Sequence, residues 1–163
     1  RQLQADPVCG VAKLAVVERY RGTGTIGLGF LEGLGLERGA LAGTVAHDHH
    51  NLVVAGMDDV SMQTAAEALT EADGGMVVTE GGEVLGLLPL PLAGLMSEQS
   101  LAEVRRTLDE LIAATRELGC EHPDPFMALG FMALEVIPAL KLTDQGLVDV
   151  NRFELVSIYS DRK

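Results

Sequence analysis

Only two cysteines occur in the 163 residues, Cys9 and Cys120, and they belong to no CxxC pair. Two isolated thiols make no disulfide framework, so a reducing, cytoplasmic setting is expected. Neither lies among basic residues of the kind that stabilise a reactive thiolate. Basic residues are scarce as well: 12 against 24 acidic ones, a formal charge of −12. Such a field repels phosphate backbones, and no basic cluster offsets it, so nucleic acid is not an expected partner. No apolar run approaches the roughly 20 residues that a membrane-crossing helix needs, so no membrane partner is expected. No signal-peptide pattern is present, and Arg1 stands where an initiator Met would; a processed product or a piece of a longer protein is expected. Also missing are a P-loop, a GxSxG elbow, an HExxH helix and the HxE/PCxxC pair of zinc deaminases.

Apolar residues make up 47% of the chain, enough for one domain with a core at this length. The run Val11 to Tyr20 reads as a strand. The stretch from Gly22 to Gly39 is glycine-rich and reads as a looping or bulged region with a short strand at IGLGF. LAGTVA and NLVVAG read as two strands joined as a hairpin across His47 to Asn51. Met62, Ala65, Ala66 and Leu69 recur at helical spacing behind Asp58 and Asp59, and Gly74–Gly75 stops that helix. Gly81–Gly82 turns a hairpin between Val77–Val78 and Val84–Leu88. A second helix opens on the capping box Ser100/Glu103, carries Leu101, Val104, Leu108, Leu111, Ile112 and Leu118 on one face, and ends at Gly119. A short helix follows Asp124, and FELVSIY reads as a closing strand paired into the sheet. The expectation is a single compact α+β domain, mostly antiparallel in one or more sheets, with two main helices.

Two motifs carry possible chemistry. GTGTIG, Gly22 to Gly27, fits GxGxxG, but a dinucleotide loop must open a helix, and LGFLEGLGLERGA is too rich in glycine for that. It reads as a turn between strands. The second is HDHHN, with three of the four histidines of the chain. His47 and His49 at a spacing of two could ligate one metal from an extended chain, though only His122 remains outside the cluster as a further histidine. The same residues could move protons, with Asp48 orienting a ring. They could equally form an ordinary polar hairpin tip, since Asp and Asn suit turns. Phe126, Met127, Phe131 and Met132 read as core packing.

Three segments together resemble the C-terminal domain of microbial adenine deaminases, a branch of the amidohydrolase superfamily. They are VVERYRGTGTIGLGFLEGLGLERGALAGTVAHDHHNLVVAG, LPLPLAGLMS and GCEHPDPFMALGFMALEVIPALKLTDQGLVDV. The histidine segment of that family looks like VAHDSHN, matched here by Val45, Ala46, His47, Asp48, His50 and Asn51. Position 49 departs from it, with His49 in place of serine, so the HxH spacing comes from that exchange. The resemblance implies hydrolysis of adenine to hypoxanthine and ammonia, a step of purine salvage and adenine catabolism, by a longer enzyme. It implies an N-terminal amidohydrolase barrel, absent from residues 1–163, that holds a divalent metal (manganese, iron or zinc). No catalytic residue is assigned to this chain, which is expected to be inactive alone. His47, Asp48, His50 and Asn51 are the candidates for substrate contact or for support of that metal. A stand-alone purine-binding module and a small metalloenzyme built on His47 and His49 remain as alternatives. A face left open by the absent barrel would favour a homo-oligomer of the isolated domain.

Overall fold

The computed structural model describes residues 4–159. Alternating apolar strands build a six-stranded antiparallel sheet of order β2-β1-β4-β3-β5-β6. Its strands are β1 (Val11–Val17), β2 (Ile26–Glu32), β3 (Ala40–Gly43), β4 (Leu52–Gly56), β5 (Gly75–Glu80) and β6 (Glu83–Pro89). Because successive side chains in a strand point to opposite faces, neighbouring residues of the central strands feed two separate cores. Ala42, Val54 and Val77 face α1 (Asp59–Glu71) together with Ala65 and Leu69. Leu41, Val53 and Val78 face the other way, toward Leu111 and Leu118 of α2 (Leu101–Glu117) and its C-cap. Phe126 and Leu129 of the short helix α3 (Pro125–Phe131) complete that second core.

Local sequence chemistry sets the helix ends as expected. Asp58 accepts the Ser61 N–H at 2.8 Å to cap α1. Ser100 and Glu103 form the full capping box of α2, and Asp124 caps α3 through the Met127 N–H. The apolar stripe of α2 starts one turn later than its spacing suggests, because Leu101 is 85% exposed. Phe126 is buried and Met132 packs against the core, whereas Met127 and Phe131 are partly exposed.

The antiparallel strands fall into two sheets, and the closing strand is the one that departs from expectation. Leu140–Thr143 (β7), Gly146–Asp149 (β8) and Glu154–Val156 (β9) form a separate three-stranded antiparallel sheet. The closing strand therefore pairs with β8 and not with the large sheet. The small sheet lies on β2, where Gly27 and Gly29 offer no Cβ and let Thr143 and Leu142 approach. No helix among the described residues is long and apolar enough to cross a membrane.

Candidate functional site

The HDHHN segment fills the connection between β3 and β4, which pair as a hairpin. It is a compact turn and not an extended tip: the His50 N–H donates to Ala46 O at 2.7 Å, and His50 has a φ of +51°. Residues with Cβ adopt that left-handed backbone only where surroundings hold it. Here Arg19, just past β1, donates from Nε to the His50 carbonyl at 2.6 Å, and the Tyr20 hydroxyl reaches the same oxygen at 3.2 Å. The Arg19 guanidinium lies over the Tyr20 ring, 4.6 Å from its centroid.

The turn sends its side chains in two directions. His49 Nε2 lies 2.6 Å from Glu135 Oε1, and the buried Asn51 donates to Asp144 Oδ1 at 3.2 Å. These four residues line an open cleft of about 730 Å³ between the hairpin and the small sheet, with Tyr20 and Arg21 on its rim. His47 instead packs on Phe131, ring centroids 5.4 Å apart, with the His50 ring 6.5 Å from His47. Asp48 is exposed. The two imidazoles at HxH spacing thus part company, one to Glu135 and the other to Phe131. Among the described residues no group of three or more His, Cys, Asp or Glu is placed to hold a metal ion. This donor set does not fit a metal, and no chemical step through one follows from it.

Burial, then the charges of His47 and Arg19, make His50 less basic than an ordinary histidine, which favours a neutral ring. Its Nδ1 and the Oε2 of Glu135 are buried with no hydrogen-bond partner among the described residues. Buried polar atoms are nearly always paired, so these two call for a partner, an ordered water or a group from outside the chain.

Glu18 organises the neighbouring loop. Partial loss of solvent pushes its pKa up, but the N–H groups of Thr23, Arg21 and Tyr20 and the Thr23 hydroxyl outweigh that and hold it at about 2, against 4.5 ordinarily. A folded-state pKa below the unfolded one gives stabilisation that is present above pH 4.5 and lost as pH falls toward 2. The Thr23 amide resonance is therefore expected to titrate near pH 2; a midpoint near 4.5 would contradict this contact.

The sequence alone identifies the turn but not its partners. Arg19, Glu135 and Asp144 lie 31, 86 and 93 residues from the positions they contact. The only signal for them is that each sits inside a segment that carries the family resemblance: ERY, ALEVIP and LKLTD.

The sequence model of the adenine deaminase C-terminal domain matches residues 1–154. A protein named adenine deaminase from Desulfatibacillum aliphaticivorans is 54% identical over 155 residues, which cover 95% of this chain and 27% of the relative. One from Oleidesulfovibrio alaskensis is 55% identical over 156 residues, 96% of this chain and 27% of the relative. One from Clostridium botulinum type A is 49% identical over 158 residues, 97% and 26% respectively. The chain spans about a quarter of the length of these relatives and matches nearly all of itself, and it belongs to the adenine deaminase C-terminal domain family.

Proposed function

We propose that this chain is the C-terminal portion of a longer, metal-dependent hydrolase that converts adenine and water to hypoxanthine and ammonia in the cytoplasm, for purine salvage. The remaining part is an N-terminal amidohydrolase barrel, which holds the divalent ion, be it manganese, iron or zinc. The domain here supplies no ion ligand of its own. His47, Asp48, His50 and Asn51 present polar groups to the mouth of that barrel, where they contact the purine or orient the groups around the ion. The observation that carries this reading is coverage: relatives named adenine deaminase match 95–97% of this chain but 26–27% of themselves. The orphaned His50 Nδ1 supports it, because a buried acceptor or donor in a surface turn is suited to a partner from another domain. With no barrel present, the exposed stripe Ile26, Leu28 and Phe30 on edge strand β2 favours a homo-oligomer.

The cleft beside His49 and Asn51 favours a second reading, a stand-alone module that binds a purine without converting it. A chimera separates the two. In the Desulfatibacillum aliphaticivorans enzyme, the segment matched by this chain is replaced by residues 1–155. The chimera is expected to release ammonia from adenine, and the 163-residue chain alone to release none. Adenine binding by the lone chain together with an inactive, folded chimera would support the module instead.

A further inference from the structure

Two turns that are far apart in sequence meet at one side chain. The first is the histidine turn, where His50 has a φ of +51° and its carbonyl accepts from Arg19. The second is the turn of PLPLAG, where Ala93 and Gly94 have φ of +61° and +74°. Left-handed backbone costs a residue with a Cβ about 1–2 kcal/mol, so two such residues facing each other need something to hold them. Arg19 stands between them. Its Nε donates to His50 O at 2.6 Å and its Nη2 to Ala93 O, while Nη2 also reaches the Tyr20 hydroxyl at 3.1 Å.

Room for the guanidinium depends on Gly94. A Cβ on Gly94 would lie 2.6 Å from Arg19 Nη2 and 2.8 Å from both Cζ and Nη1. The backbone of the second turn is therefore packed directly on the planar face or edge of the guanidinium. Thr44 fixes the same turn from the other side: its buried hydroxyl donates to Gly94 O at 2.6 Å and accepts the Gly75 N–H at 2.8 Å. The turn at 91–94 is anchored to the core, and Arg19 carries that anchoring across to the histidines.

We infer that Arg19 is a positioning residue: a planar clamp that locks the histidine turn onto the Ala93–Gly94 turn and so fixes where His47, Asp48 and His50 are presented. What that presentation serves rests on the function proposed above; the clamp itself does not. The requirement is for shape and not for charge alone. A guanidinium offers five N–H groups in one rigid fork and can serve two carbonyls on separate segments at once, while a lysine ammonium is a compact point charge on a flexible stem. Arg19→Lys is therefore expected to behave like Arg19→Ala at this site.

The test uses amide hydrogen exchange in the 163-residue chain, read at His50, whose N–H bonds Ala46 O at 2.7 Å. Loss of hydrogen bonds to a charged group should raise its exchange by about 10-fold or more in both Arg19→Ala and Arg19→Lys. Protection across β1, β3, β4 and β5 should stay as in the parent. A double-mutant cycle adds a readout that does not depend on either single variant being mild. Gly94→Ala should destabilise less in the Arg19→Ala background, because the clash is gone and only the strain at φ +74° remains. Unchanged His50 exchange in Arg19→Ala, full rescue by lysine, or strict additivity of the two substitutions would each overturn the clamp. In the chimera, Arg19→Lys should lower kcat more than it raises KM. A loosened turn with unaltered kinetics would leave the clamp standing and refute the functional use of the turn, so the two ideas fail separately.

Discussion

Gly27→Ala is expected to lower the stability of the protein by about 3 kcal/mol and to detach the small sheet from β2. The added Cβ would fall 1.8 Å from Thr143 O, 3.0 Å from Thr143 C and 3.4 Å from Gly146 N. All three are backbone atoms of the β7–β8 hairpin, and none can rotate aside. Gly27 is itself held in the ladder opposite Val16, so the large sheet cannot yield either. The strain is relieved only if the hairpin moves off, which carries Asp144 away from Asn51 and opens the cleft. Gly29→Ala is the matched control. Its Cβ would meet only methyl groups of Leu142 at 3.4 Å, which can shift by a small rotation. Urea unfolding followed by circular dichroism should show a much lower midpoint for Gly27→Ala than for Gly29→Ala. Equal midpoints would mean that the two sheets do not pack as described. The expected loss is a large share of the 5–15 kcal/mol that domains of this kind possess.

The same glycines separate local signals in the sequence from contacts made only in the fold. Helix α2 could be read with its cap because the capping box and the apolar spacing are local and agree with each other. The hairpin turned by Gly81–Gly82 was equally plain, a two-residue loop between two apolar runs. Glycine is entropically costly in regular structure, so Gly22 to Gly39 reads as a looping or bulged region with a strand expected only at IGLGF. In the fold that strand runs on to Glu32 as the seven-residue β2, and its bare backbone is what admits a second sheet. That second role depends on tertiary contact, which no local propensity reports. The strands β7 and β8 are four residues each, too short for alternation to stand out, so the sequence offers FELVSIY no visible partner near it and its pairing with β8 is not legible.

The candidate site divides in the same way. Three histidines within four positions are conspicuous in any chain, and their turn joins β3 to β4 as the flanking apolar runs suggest. Their geometry was not legible. An extended HxH would turn both rings to one side, whereas the tight turn from Ala46 to His50 sends His49 to Glu135 and His47 to Phe131. Arg19, which holds this turn, reads in the sequence as one more charged residue near the end of a strand, whereas β1 stops at Val17 and frees it to reach across.

The larger functional effect should come from the turn itself. His50→Asn keeps a residue that tolerates left-handed backbone and removes the half-buried ring with its unpaired Nδ1. Asp48→Ala trims an exposed side chain and should cost little stability. If these groups contact the purine or orient the groups around a barrel-bound ion, each change should lower kcat/KM for adenine by about 10- to 100-fold. The fold should survive both, as urea unfolding of the 163-residue chain can verify. Ammonia release from adenine by the chimera carrying His50→Asn or Asp48→Ala is thus the most direct measurement. The account predicts that 10- to 100-fold fall with an unchanged unfolding midpoint. Catalytic efficiency and metal content equal to those of the parent chimera in both variants would contradict it.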